Sequence, residues 1–211
     1  VKQPIQTDCK TGIVGDLPMG MKKLECQHTT GGQETEQTFF LEAPGQTEDD
    51  KGIPFCGRAG KFLDDMLAEI NLKREDIFIA NTLKCRPPEN RDPSDSEKIA
   101  CRPYLEDQIA VLTPLLIVCL GRHATTALLP ASGGITRLHG QAVRRPNGQV
   151  YLPLYHPAAA LHNGGLRQTL IDDFKKIPAI INKIKSDQKQ NNQDKNKTKK
   201  NYKNINQQKL I

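Results

Sequence analysis

Between residues 60 and 76, Phe62, Leu63, Met66, Leu67 and Ile70 recur at helical spacing, with acids and bases on the opposite face, which predicts an amphipathic helix. The run IFIAN at 77–81 is short, apolar and rich in isoleucine, the pattern of a buried strand. From Cys85 to Pro93, CRPPENRDP holds too many prolines for a helix or a central strand and is expected to be a loop. Ser94 precedes Glu97 by three residues, a capping-box spacing that opens a helix through Leu105, Ile109 and Leu112. LLIVCLG at 115–121 predicts a second buried strand, and RHATTALL behind it another helix. Pro146, Asn147 and Gly148 supply turn chemistry between AVRR and QVYLPLYHP, so a hairpin is expected whose second strand ends at His156. A last helix is predicted from near Leu166 through Leu170, Phe174, Ile177, Ile181 and Ile184, kinked at Pro178. Alternating helices and buried strands, with no internal repeat, predict an α/β fold with its sheet covered on both faces.

Composition adds a polar appendage to this picture. At 36% hydrophobic and 26% charged, 211 residues make one globular domain of ordinary size plus something more polar. From Ser186 onward there are seven lysines against two aspartates, so +5 of the net +6 lies in the tail and the body is close to neutral. A basic total points to nucleic acid or an anionic membrane, but here that inference rests mainly on the tail. The tract KSDQKQNNQDKNKTKKNYKNINQQ has almost nothing to bury and is expected to be disordered. No run of eighteen apolar residues and no basic segment followed by an apolar one at the N-terminus is present, so the chain reads as soluble and intracellular. Six cysteines, Cys9, Cys26, Cys56, Cys85, Cys101 and Cys119, are too few for a disulfide scaffold of this size. In a reducing compartment such cysteines are free, catalytic or metal-bound.

Candidate chemistry begins at Glu42-Ala43-Pro44-Gly45, which follows the apolar pair Phe39-Phe40 as a strand end turning into a loop, a usual place for a site in α/β sheets. The alternative is a turn with a solvated acid. Glu48, Asp49 and Asp50 fit a solvated face as well as a site, and Phe55 fits a core. Asn81 ends an apolar strand, where a buried amide needs partners. His156, before Pro157, fits a structural histidine and a functional one equally.

Four segments then stand together: LEAPGQTEDDKGIPFCGRAG at 41–60, IANTLKCRPPENR at 79–91, LGRHATTALL at 120–129 and LYHPAAALHNGGLR at 154–167. In this order they resemble the uracil-DNA glycosylase superfamily, and most closely its family 4, the iron-sulfur type of bacteria and archaea, over residues 41 to about 177. The resemblance implies a three-layer sandwich with a central, mostly parallel sheet, spanning 41–185 between a divergent N-terminal segment, 1–40, and the tail, 186–211. It implies hydrolysis of the N-glycosidic bond of deoxyuridine in DNA, in base-excision repair, by a monomer in the cytosol or nucleoid without a membrane association. Such an enzyme must flip the nucleotide out and hold the base. Ala43, Pro44 and Gly45 then line the base pocket and Phe55 stacks on uracil. The amide of Asn81 donates to O4 and accepts from N3–H, a pattern that cytosine reverses. His156 donates to O2 as charge grows there. Glu42 and Glu48 are the two carboxylates placed to orient water or stabilise the sugar cation, with neither assigned the role. Leu161 or a neighbour becomes the wedge in the DNA gap, and Arg58 and Arg167 the phosphate contacts.

Family 4 also implies a [4Fe-4S] cluster on four cysteines. Cys85 and Cys101 match the later pair, but the earlier CxxC is missing: family spacing places it near Val14 and Leu17, which cannot bind iron. Cys9 and Cys26 are the only N-terminal replacements. Residues 27–40 show no apolar strand where the family has one, and Leu41 stands in place of a glycine. Read one frame away, GGQETEQTF permits a glycine-rich turn and a strand, which points to compensating frameshifts across about 10–41. Three readings stand open: Cys9 and Cys26 complete an altered site, the cluster is lost, or the N-terminal sequence is not the ancestral one. A catalytically impaired DNA- or uracil-binding descendant is the alternative to an active enzyme.

Overall fold

The computed structural model describes residues 37–41, 43–51, 53–129 and 133–208, in two compact units that meet in sequence at Lys176 and Ile177. The first unit is built on five strands: β1 (Gln37–Leu41), β2 (Phe78–Asn81), β3 (Leu116–Leu120), β4 (Val143–Arg144) and β5 (Val150–Leu154). Their order across the sheet is β2-β1-β3-β5-β4, with every pairing parallel except that of β4 with β5. The helices are α1 (Gln46–Lys51), α2 (Arg58–Glu69), α3 (Asp95–Leu112), α4 (Arg122–Leu128), α5 (Ile135–Leu138), α6 (Pro157–His162) and α7 (Gly164–Phe174). The α/β architecture thus follows the expected alternation.

The strand missing from the sequence reading is present. Gln37–Leu41 lies inside the sheet between β2 and β3, with Thr38, Phe39 and Phe40 each registered against both. Five residues are too short for an alternating pattern to stand out, and pairing on both sides rests on main-chain groups that any non-proline residue supplies. The expected loss of strand character over 27–40 is therefore corrected for 37–40; residues 27–36 lie outside the described residues.

β3 and β5 are buried at every position, as strands covered on both faces must be. Pro153 is tolerated in β5 because β4 is only two residues long and pairs with Val150 and Tyr151, leaving no ladder partner opposite the proline on that side. On one face, Phe78, Ala80, Ile117, Cys119 and Tyr151 form a core cluster with Leu105 of α3 and Ala124 of α4, joined by Ile109 and Leu112. Leu63, Met66 and Leu67 of α2 and Leu170 and Phe174 of α7 are fully buried, and α2 packs on α6 and α7, the latter also meeting β5.

Several element ends differ from expectation. α2 stops at Glu69 rather than 76, because Asn71 turns left-handed (φ 56°) and the Leu72 N–H closes back on the Leu67 carbonyl at 2.9 Å. A separate 3-10 turn, Arg74–Asp76, leads into β2. β5 ends at Leu154, two residues before His156, because His156 caps the next helix. The predicted kinked terminal helix is two helices. Asn163 caps α7, its side chain accepting from the N–H groups of Gly165 and Leu166. The second unit is α8 (Ile177–Gln208), with Pro178 in its first turn, where a missing N–H costs nothing, so no kink arises. Ile177, Ile181 and Ile184 are buried. The helix continues through the Asn/Gln/Lys tract to Gln208, correcting the expected disorder for 186–208: that stretch has no proline or glycine to interrupt the hydrogen-bond ladder. Among the described residues no helix is long and apolar enough to cross a membrane.

The cysteine-bearing loop 85–93 is locked to α3 through an ion pair. Ser94 and Glu97 form the anticipated capping box, and the Arg91 guanidinium meets both Glu97 oxygens, at 2.9 and 2.6 Å. Glu97 is 1% exposed, and the Arg91 hydrogen bonds hold its carboxyl down at about 2, against the desolvation that opposes them. A carboxyl depressed when folded contributes stability above its unfolded pKa and loses it as pH falls through the folded value. Arg91→Met should therefore lower stability at neutral pH by removing two of the donors to a buried carboxylate, with the Ser94 N–H remaining. In thermal unfolding followed against pH, the gap between wild type and Arg91→Met should close from about pH 4.5 down to about 2; a gap independent of pH over that range would refute the assignment.

Candidate active site

Parallel strands bring their carboxyl ends to one edge, and the loops that leave this edge carry the sequence-predicted residues. Leu41 is registered against Asn81, so the chain leaving β1 toward 42–45 departs beside the end of β2. Leu120 and Leu154, also paired, end β3 and β5 at the same edge, and His156 follows two residues later. Glu42 lies outside the described residues.

Beyond it, Pro44 is buried and Ala43 and Gly45 are half-buried ahead of α1. The Glu48 carboxylate reaches across to accept the Gly57 N–H at 3.2 Å, tying α1 to the turn that follows Phe55. A Cβ on Gly45 would lie 2.7 Å from Glu48 Oε2, so the glycine leaves room for the acid.

Phe55 and His156 are brought together, with ring centroids 5.4 Å apart and planes tilted by 60°. Phe55 is buried and left-handed (φ 56°), a conformation that costs a bulky L-residue roughly 1–3 kcal/mol and persists only where the surroundings impose it. His156 is the N-cap of α6: its Nδ1 accepts the Ala158 N–H at 3.1 Å. A main-chain N–H only donates, so Nδ1 carries no proton and the ring's N–H is on Nε2. The ring is thereby presented as a donor through Nε2.

Asn81 is 6% exposed at the end of β2. Its main-chain carbonyl accepts from Lys84 Nζ at 2.6 Å, and the same ammonium donates to Gln108 Oε1 of α3 at 2.6 Å. Burial pulls Lys84 down to about 8, while the neighbouring Cys101 sulfur favours its charge. Sequence reasoning passed over this lysine. A long cationic side chain between an apolar strand and a proline-rich loop was the signal available, since a lysine there must find acceptors or reach water.

Of the remaining candidates, Arg58 is exposed at the start of α2, and Leu161 is half-buried in α6. Arg167 places its guanidinium 4.3 Å over the Phe62 ring, a cation–π contact linking α7 to α2. A second histidine sits close by: His139 lies against Tyr155, with ring centroids 4.6 Å apart, and bonds through Nδ1 to Asp173 at 2.7 Å. Asp173 is 2% exposed and also accepts from Lys176 at 2.7 Å. Gly140 is required beside it, because a Cβ there would overlap the Asp173 carboxylate.

Cys85 and Cys101 are both buried, and the Lys84 main-chain N–H approaches Cys101 Sγ at 3.4 Å. The other described cysteines are elsewhere. Cys119 is inside the sheet core, where burial pushes its thiol far up, and Cys56 lies near Thr47, donating to its carbonyl at 3.5 Å. Among the described residues no group of three or more His, Cys, Asp or Glu side chains is placed to hold a metal ion. A cluster on four thiolates therefore does not fit the described donors, which supply two. Cys9 and Cys26 lie outside the described residues.

The model of the uracil DNA glycosylase superfamily matches residues 30–177. A type-4 uracil-DNA glycosylase of Sulfurisphaera tokodaii is 46% identical over 70% of this chain and 70% of its own length. That of Archaeoglobus fulgidus is 43% identical over 72% of this chain and 80% of its own, and that of Thermotoga maritima 35% identical over 79% and 88%. With its parallel sheet, its Phe55–His156 pair and its buried Asn81 at one edge, the chain belongs to the uracil DNA glycosylase superfamily.

Proposed function

We propose that this protein hydrolyses the N-glycosidic bond of deoxyuridine in DNA, releasing uracil and leaving an abasic site. The observation that carries this reading is the Phe55–His156 pair, with the imidazole N–H on Nε2. An aromatic face and a fixed donor are what a flipped pyrimidine needs on one side and at one carbonyl. Asn81 supplies the complementary amide edge, donating to uracil O4 and accepting from N3–H, which leaves cytosine with two mismatched contacts. As the bond to the sugar lengthens, the base leaves as an anion; the His156 Nε2–H donates to O2 as that charge appears, and no covalent bond to the protein is required. Water adds to the sugar cation. Glu42 and Glu48 are the carboxylates that orient this water or stabilise the cation, and the Gly57 N–H holds Glu48 in place.

The substrate is uracil-containing DNA, met by a monomer in the cytosol. Arg58 serves as a phosphate contact, and Leu161 or a neighbour as the wedge in the gap left by the flipped nucleotide. Arg167, seated on Phe62, serves by position rather than as a free side chain. The second unit adds sequence-independent affinity, because +5 of the chain's charge lies beyond residue 185. Cys85 and Cys101 serve as half of a ligand set whose other half rests on Cys9 and Cys26 alone, so no catalytic step is assigned to a [4Fe-4S] cluster.

On a uracil-containing oligonucleotide, single-stranded and opposite guanine, His156→Ala should lower the single-turnover rate by about 10²- to 10³-fold, and Asn81→Ala should also slow cleavage. Cleavage indifferent to both substitutions would refute the site, and binding without turnover in the unsubstituted chain would favour a non-catalytic uracil-binding role. Removal of residues 186–211 should weaken DNA binding and flatten the dependence of log Kd on log salt concentration while leaving base selectivity intact. Iron analysis of the purified chain should give fewer than four irons per molecule; a brown protein with a full complement, ligated by Cys9 and Cys26, would overturn that expectation.

A further inference from the structure

Phe55 occupies its left-handed conformation beside a guanidinium that comes from the 3-10 turn Arg74–Asp76, beyond the next helix. Arg74 donates from Nη1 to the Pro54 carbonyl at 3.0 Å and from Nη2 to the Phe55 carbonyl at 2.7 Å, while its Nε donates to Asp64 Oδ1 at 2.9 Å. Two consecutive carbonyls on one planar fork fix the orientation of the peptide between Pro54 and Phe55, which a single-point ammonium cannot do. Gly60, in the first turn of α2, completes the arrangement: a Cβ there would overlap the Phe55 carbonyl and lie 3.3 Å from Arg74 Nη2. Asp64, on the same helix, sets the angle of the fork. The turn is thus held by the Arg74 fork and by the close approach of α2 at Gly60, with Asp64 bracing the guanidinium.

We propose that Arg74 is a positioning residue of the uracil pocket, clamping the Pro54 and Phe55 carbonyls so that the Phe55 ring is held beside His156 in the geometry that stacks on the flipped base. This rests on the reading of Phe55 as the stacking residue. Without the clamp, Phe55 relaxes toward negative φ, the preferred region for an L-aromatic residue, and its ring leaves the position 5.4 Å from His156. Arg74 acts only through Phe55, so its contribution vanishes when the ring is absent. A role in general stability makes no such distinction.

The test is a double-mutant cycle on the full chain, reading single-turnover cleavage of a uracil-containing oligonucleotide and, separately, the Kd for the same DNA. Phe55→Ala, Arg74→Met, Arg74→Lys and the Phe55→Ala/Arg74→Met double variant are compared at a temperature where thermal unfolding shows each to be folded. Arg74→Met should slow cleavage roughly 10- to 100-fold, the scale of a misplaced reacting geometry, with Kd changed less than about twofold. Arg74→Lys should be slowed nearly as much, despite keeping the charge. In the Phe55→Ala background, adding Arg74→Met should slow cleavage by less than about twofold more. Equal slowing in both backgrounds would overturn the proposal, as would a full rate for Arg74→Lys, which also serves should Arg74→Met fail to fold. If Phe55→Ala cleaves at the wild-type rate, the stacking reading itself falls and the clamp's role with it. If Phe55→Ala is slow and both Arg74 variants are fast, only the clamp fails.

Discussion

The parallel pairing of β1 with both of its neighbours sets where every other part of the site can lie, because a central strand fixes the spacing and direction of the strands on either side. Its register against β2 aligns Leu41 with Asn81, and its register against β3 carries the alignment through to β5 and the His156 loop. A slip of one residue in either ladder would turn every side chain of the strand to the opposite face and move the loops at its carboxyl end by a strand step of about 3.3 Å, more than a hydrogen bond tolerates. Main-chain hydrogen bonds, which carry no side-chain information, are thus the reference frame for the loops that carry Asn81 and His156.

On that frame, the site is assembled from short turns whose conformations are imposed by groups outside them. Phe55 is held left-handed by Arg74 and by the close approach of α2 at Gly60. Glu48 is braced by the Gly57 N–H, and His156 is committed to one tautomer by the helix it starts. Each restraint raises the cost of local rearrangement, so Phe55, Glu48 and His156 are held in place by the fold itself. That is the condition for a donor to act on developing charge without first having to reorient.

Much of this was legible in the chain. The helix through Phe62 and Met66, the strands at 78–81 and 116–120, the Ser94–Glu97 capping box and the hairpin turn at Pro146–Gly148 follow from periodicity and local chemistry, which act within a few residues. Phe55, Asn81 and His156 could be named as candidates because the motifs around them are dense. Of β1 only the end at Phe39-Phe40 was legible, since QTFFL lacks a periodic signature and is defined by neighbours distant in sequence. Arg74, Lys84 and the His139–Asp173 pair were equally hidden: each works through a partner between 3 and 34 residues away, and nothing in the intervening sequence announces which acceptor it meets. The helical course of 186–208 was missed because composition reports what a segment can bury, not whether its main chain can coil.

Lys84 links two places that have no other reason to vary together. Its ammonium joins the main-chain carbonyl of Asn81, at the end of β2, to Gln108 in the C-terminal part of α3, a helix that also carries Cys101. Gln108 thereby enters the mutational neighbourhood of the chain that leaves β2. A substitution there is felt at the end of the sheet as well as in the packing of α3, a constraint that the surface of the helix does not reveal.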